Sequence, residues 1–318
     1  MKALSIHLTD ICNSKCSFCI VDSPHMERDT VMRRRVSRFL SEHAGQGYEG
    51  VSLHGGEATI RRDFLEILDE IRDKGYPTVH LMTNARKLAR MEFARSVVDK
   101  GVSLFIVSMH GATAVTQDRI ARSIGSFEQA VAGIRNVKAL GATVRTNSVV
   151  CQDNYTELPE IIDLCLDLGA DQITISALHT DGTALRNFWE VTPRYADIRP
   201  YVLEACARAV RRGAPLFMEG FPYCTVPGYE QHLVDWEHNR YKVLYRSFVM
   251  DDYEEHMDDF TRVKDARCGG CVFDSVCGGV YKEYAEMIGW DEFHPVTERP
   301  DRDTSTNPAA GPMRAAPR

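Results

Sequence analysis

Over the first two thirds of the chain, short runs of β-branched and aliphatic residues alternate with stretches whose apolar positions recur every three to four residues. The runs at 3–9, 51–56, 78–84, 104–110, 143–150 and 172–179 have the length and composition of strands. Between them, Val36, Phe39 and Leu40, then Phe64, Ile67, Leu68 and Ile71, then Phe127, Val131 and Ile134 repeat with the helical period. Gly75, Gly101 and Gly141 stand where such helices would stop. Six βα units in succession predict an α/β fold, a partial (β/α)6 barrel of parallel strands over residues 1–215, closed by a long helix near 194–212. From 216 to 297 the alternation is lost and Tyr, Cys, Gly and acidic residues dominate, which predicts a smaller appended domain. The stretch 298–318, with Pro300, Pro308, Pro312 and Pro317 among Ala and Ser, predicts a disordered tail.

Chemically capable residues collect where the predicted strands end. A cysteine loop follows the first, Glu57 the second, Asn84 the third, Ser108 and His110 the fourth, Cys151 the fifth and His179 the sixth. In βα barrels those ends form the mouth of the active site. The cysteine loop is the most specific of these features. Cys12, Cys16 and Cys19, in Thr-Asp-Ile-Cys-Asn-Ser-Lys-Cys-Ser-Phe-Cys, can hold three corners of a cubic iron-sulfur cluster and leave the fourth iron without a local cysteine. An iron left open can bind a substrate or cofactor, whereas four thiolates close a cluster into an electron carrier.

This loop, with an aromatic residue, Phe18, before its last cysteine, resembles that of the radical S-adenosylmethionine (SAM) superfamily. A second element, Gly55-Gly56-Glu57-Ala58-Thr59, is similar to the Gly-Gly-Glu-Pro-Thr of that family, with Ala58 in place of the proline. The resemblance implies that a 4Fe-4S cluster on Cys12, Cys16 and Cys19 binds SAM and that Glu57 with Gly55 and Gly56 holds the methionine end. It further implies Ser108 and Asn147 as candidates for the ribose and carboxylate, Phe18 against the adenine, and Asn84 lining the site. The rival reading is a structural zinc site completed by His7 or His25, which leaves the glycine-glycine-glutamate element unexplained.

A second set, Cys268, Cys271 and Cys277 with Cys224 upstream, supplies four thiols, enough to saturate another cluster. It looks like the auxiliary module, often called twitch, of the superfamily's SPASM/twitch subgroup, which implies a second 4Fe-4S cluster; a four-cysteine zinc ribbon is the alternative. Cys224, the outlier in sequence, is alternatively a free hydrogen donor. Of the rest, Cys165 is in phase with Leu158, Ile161 and Ile162, and Cys206 with Ile198 and Val202, so both read as core thiols. Cys151 shares strand parity with Asn147 and is expected at the barrel mouth, where a thiol could return a hydrogen atom to a substrate radical.

Composition narrows the partners. With 318 residues, 44% hydrophobic and 26% charged, the chain is an ordinary globular protein, and a net charge of -7 argues against nucleic acid. The run Arg33, Arg34 and Arg35 reads as the solvated side of a helix. No signal peptide or membrane-length apolar run is seen, and ten cysteines suit metal ligation in a reducing compartment, so the expected location is cytoplasmic. The resemblance implies a radical oxidoreductase or epimerase supplied with electrons by a low-potential donor such as flavodoxin or ferredoxin. Because the first strand begins at the N-terminus, with no separate leader-binding domain ahead of it, the expected substrate is a natural-product small molecule such as an aminoglycoside or other sugar. A ribosomally made peptide is the second expectation, and a non-catalytic zinc-binding interaction module the third. His110, His179, Asp181 and Glu219 are candidates for polar substrate groups.

Overall fold

The computed structural model describes residues 2–25, 30–233, 240–246, 248–253 and 260–298. The expected tail beyond 298 lies outside them. The barrel strands are β1 (Lys2–His7), β2 (Gly50–His54), β3 (Thr78–Thr83), β4 (Val102–Ser108), β5 (Thr143–Val149) and β6 (Gln172–Ser176). The helices α1 (Arg33–His43), α2 (Phe64–Asp73), α3 (Met91–Asp99), α4 (Ala114–Ala121), α5 (Ser126–Ala139) and α6 (Leu158–Asp167) come between them. Every observed strand stops one to three residues short of the expected end, because there the backbone leaves the ladder to build the site loops.

The sheet does not end at residue 215. A seventh strand, β7 (Leu216–Glu219), pairs parallel with β6, and β8 (Arg240–Tyr245) pairs parallel with β1. β9 (Phe248–Met250) then turns back antiparallel, giving the order β7-β6-β5-β4-β3-β2-β1-β8-β9. Three strands of the expected appended region, β7, β8 and β9, therefore lie in the same sheet as the barrel strands. The short helices α7 (Thr183–Arg186) and α8 (Phe188–Val191) and the long α9 (Tyr195–Arg211) join β6 to β7.

Strand alternation divides the sheet into two faces. Leu4, Ile6, Val51, Leu53, Leu81, Phe105, Val107, Val144, Ile173 and Ile175 face the helices and form one continuous buried core with Phe39, Ile67, Ile134 and Ile161. Cys165 and Cys206 lie in that core, and burial pushes both thiols up to about 12. The alternate positions turn inward and include the polar His7, His54, His80, Arg145, Asn147, Ser176 and Glu219 beside apolar ones such as Leu104 and Ile106. An apolar outer face pins the register, since a one-residue slip would exchange the two faces.

The last part of the chain forms a small antiparallel pair, β10 (Arg262–Val263) with β11 (Val280–Tyr281), followed by the helix Lys282–Met287. It is held to α9 by an aromatic cluster of Tyr195, Tyr284 and Phe293 with ring centroids 5.0 to 5.9 Å apart. Among the described residues no helix is long and apolar enough to cross a membrane.

Candidate active site

Cys12, Cys16 and Cys19 lie in the loop leaving the C-terminal end of β1, all partly exposed. Neighbouring elements fix the loop through its backbone. Lys15 N and Ser17 N donate to Ala121 O and Ile120 O at the end of α4, both at 2.9 Å. Thr183 N donates to Cys19 O at 2.9 Å, and Asn187 Nδ2 to Ser17 O at 2.7 Å. Ser14 N points at Cys12 Sγ, 3.3 Å away. Desolvation pushes the Cys12 thiol up to about 12, with Glu57 and Cys19 adding to it; Cys16 is raised by burial and by both neighbouring cysteines. Burial that disfavours the thiolates of Cys12 and Cys16 would be offset by the positive charge of bound iron.

The Gly55-Gly56-Glu57 turn packs directly on this loop. Gly56 N donates to Thr9 O at 2.5 Å and Glu57 N to Ile11 O at 2.9 Å. Gly55 has φ 149°, and a Cβ there would stand 2.4 Å from Thr9 O; one on Gly56 would stand 2.4 Å from Ile11 O. Only glycine permits this approach. The Glu57 side chain is buried within this turn. It is 1% exposed, its Oε1 accepting from Thr59 N, Thr59 Oγ1 and Thr83 Oγ1 at 3.1, 2.6 and 2.8 Å, and its Oε2 from Asn84 N at 2.8 Å. The carboxylate thus ties the turn to the end of β3.

Asn84 also turns toward the cysteine loop, its Nδ2 donating to Asn13 Oδ1 at 2.7 Å and lying 3.7 Å from Cys12 Sγ. Ser108 and Asn147 are cross-strand neighbours at the ends of β4 and β5. Asn147 Oδ1 lies 2.8 Å from Ser176 Oγ, which is 3.2 Å from Glu219 Oε2, so a polar row crosses β5, β6 and β7. Burial holds the Glu219 carboxyl above the usual range, against the pull of Arg145 and Arg262. Ser176 had no motif to mark it; its inward parity on β6 is the only sign in the sequence.

Cys151, grouped with Phe18, is placed otherwise than expected. Both sit in a separate apolar cluster with Ile120, Leu178, Ala184 and Val191. Phe18 meets His110 edge-on at 5.0 Å, and Cys151 is fully buried, its thiol pushed up to about 12 by desolvation. The chain turns inward at Asn154, whose Oδ1 accepts from Cys151 N at 2.8 Å, and this removes the thiol from the mouth. His110 is also committed, its Nδ1 accepting from Val149 N at 3.2 Å, and burial brings it down to about 4. His179 packs on Tyr281 at 4.5 Å, Asp181 Oδ1 accepts from Gly182 N, and His7 Nε2 is 2.7 Å from Asp10 Oδ1 while His25 is exposed.

The second cysteine set comes together from three segments. Cys224, in the turn Tyr223–Thr225 after β7, lines one cavity with Cys268, Cys271, Cys277 and His294. Gly279 N is 3.4 Å from Cys277 Sγ and Val296 N is 3.4 Å from Cys271 Sγ, so backbone amides face two of the sulfurs. Burial, then the nearby Cys277, pushes the Cys224 thiol up to about 11. Among the described residues no three His, Cys, Asp or Glu side chains converge as ligands of a single ion do. The thiolates of a cube attach to separate irons and stand farther apart.

The family profile described as Radical SAM superfamily matches residues 6–165, just over half of the chain. A protein of Metallosphaera sedula described as a probable GTP 3',8-cyclase is 29% identical over 192 residues, which is 59% of this chain and 59% of that relative. The chain thus matches about three fifths of the length of such curated relatives. The crystal structure of Streptococcus suis SuiB bound to S-adenosylmethionine superposes with a TM-score of 0.64 at 16% identity, covering 92% of this chain and 76% of SuiB. SuiB bound to its precursor peptide SuiA gives 0.63 at 15%, covering 92% and 74%. At such identity the likeness is one of fold. The profile match, over the barrel that carries the cysteine loop and the glycine-glycine-glutamate turn, shows that the chain belongs to the radical SAM superfamily, whose enzymes use a 4Fe-4S cluster and SAM.

Proposed function

We propose that this radical SAM enzyme oxidises a small polyhydroxylated or amino-bearing molecule by removing hydrogen from a C-H bond, with Cys12, Cys16 and Cys19 holding the SAM-binding cluster. When bound, that cluster and SAM would supply the 5′-deoxyadenosyl radical chemistry that such an oxidation requires. The observation that carries the reading is the second cavity, where four thiols stand together with backbone amides facing two of them. Cys224, Cys268, Cys271 and Cys277 would hold a 4Fe-4S cluster as the auxiliary centre of a SPASM/twitch enzyme, and such a centre would supply the electron acceptor that an oxidation needs. We assign residues 1–215 and the added strands β7 and β8 to the SAM barrel, and the remainder up to 297 to the auxiliary module.

The protein's own residues do the positioning. Glu57 braces the turn whose glycines lie against the cysteine loop, and Asn84 orients Asn13 beside Cys12. Ser108, Asn147, Ser176 and Glu219 present hydroxyl, amide and carboxyl groups to the barrel interior, suited to alcohol and amine groups of SAM and substrate. Burial of Cys151 takes away the thiol expected to return hydrogen, which favours dehydrogenation over epimerisation. Electrons enter from an external low-potential donor.

A second reading is favoured by the curated relatives: GTP as substrate. The test is anaerobic turnover in deuterated water with amino sugars, GTP and short peptides, reading 5′-deoxyadenosine and product mass. Product lighter by two hydrogens and free of deuterium supports dehydrogenation. Deuterium at carbon overturns it in favour of epimerisation, and turnover of GTP or a peptide alone overturns the small-molecule assignment.

A further inference from the structure

Arg86 follows β3 and reaches into the cysteine loop. Its Nη1 donates to Asn13 O and lies 3.3 Å from Ser14 Oγ, the two residues that follow Cys12. The same nitrogen is 2.7 Å from Ser123 Oγ, and Nε donates to Gln129 Oε1 at 2.6 Å. All four partners are neutral. The acids of the adjoining loops are occupied elsewhere, Glu57 by Thr59, Thr83 and Asn84, and Asp118 by Gly125 N, Ser126 Oγ and Phe127 N. A half-buried guanidinium with neutral partners is costly unless a negative charge lies nearby.

We infer that Arg86 is a positioning and electrostatic residue of the first cluster, its charge balanced by the cluster itself, and that it raises the cluster's reduction potential. The inference rests on Cys12, Cys16 and Cys19 being the ligands. A cube held by three thiolates is anionic and gains one negative charge on reduction, so a fixed cation beside it stabilises the reduced form more than the oxidised one. The Gln129 amide, rather than a carboxylate, against Nε leaves that charge undiminished.

The experiment uses the full chain, reconstituted anaerobically, with iron counted and the midpoint read by EPR on the signal that responds to added SAM. Gln129→Glu sets a carboxylate against the guanidinium at nearly constant shape, and Arg86→Gln removes the charge. Both are expected to keep wild-type iron and to lower the reduction equilibrium constant about tenfold, about 59 mV more negative for a one-electron couple. Arg86→Lys should stay near the wild-type midpoint. An unchanged midpoint in Gln129→Glu at full iron overturns the inference, and so does iron loss in Arg86→Gln with Gln129→Glu unaffected, which marks a purely structural brace. No SAM-responsive signal in the wild-type protein overturns the ligand assignment as well.

Discussion

Glu57 accepts four donors from its own chain, and this makes it a brace for the site. In Glu57→Ala the Thr83 hydroxyl and the Asn84 amide lose a buried acceptor, at about 1–3 kcal/mol for each orphaned group. The expected outcome is a lower melting temperature together with weaker SAM binding by equilibrium dialysis; unchanged affinity would refute the role in holding the SAM turn. Gly56→Ala is expected to be worse for the metal than for the fold, because its Cβ meets the carbonyls of Ile11 and Asp10 within 2.4 and 2.6 Å and the cysteine loop must move. Iron bound after reconstitution checks this, with full retention at the first site as the contrary result. The sequence made Glu57 visible as a carboxylate after two glycines, but its bond to Thr83 spans 26 residues and follows only from β2 lying beside β3.

At the scale of elements, the six expected strands were legible because each is a short β-branched or aliphatic run followed by a helical stretch. β7 and β8 escaped because β7 has four residues and the connection between them carries no periodic helix among the described residues. The last segment is fastened to the start of α9 through Tyr284 and Glu292, the latter also 3.3 Å from Arg194 Nε. Tyr195 N donates to Tyr284 Oη at 3.1 Å, Tyr284 Oη donates to Glu292 Oε1 at 2.5 Å, and Glu292 also takes Ala196 N at 2.7 Å. Tyr284→Phe orphans a buried amide and should cost about 1–3 kcal/mol. Hydrogen exchange should show faster opening over 280–293 with the barrel strands unchanged; uniform protection in the variant would contradict this.

For the whole molecule, the polar barrel interior sets an acid limit on stability. Burial lowers His54 to about 3 and His80, His110 and His179 to about 4, from an ordinary value near 6.5. The folded state keeps these rings neutral, so the unfolded chain binds more protons once pH drops below about 6.5, and stability falls from there to about 4. The raised Glu219 acts in the opposite sense. Melting temperature should be flat between pH 7 and 8 and decline steeply between 6.5 and 4, with a second decline above about 9, where the buried Cys151, Cys165 and Cys206 thiols stay protonated only in the folded state; a flat acid limb would show the rings exposed. Removing the second cysteine set by Cys268→Ala with Cys271→Ala should halve iron from about eight per chain. SAM cleavage should survive while oxidised product is lost, and retained product formation would rule out the auxiliary role.

The sequence by itself determined the barrel and both cysteine groupings, since these depend on local periodicity and on spacings of a few residues. It also placed Cys165 and Cys206 in the core, through their phase on helices. The sequence left Cys224 open as cluster ligand or hydrogen donor; only the tertiary structure puts it on one cavity with three cysteines more than forty residues away, turns Cys151 into an apolar cluster and brings Arg86 to the cysteine loop. Those outcomes depend on which strands lie side by side and on how each chain turns after leaving the sheet. Such geometry arises from the packing of distant segments, which no local pattern records.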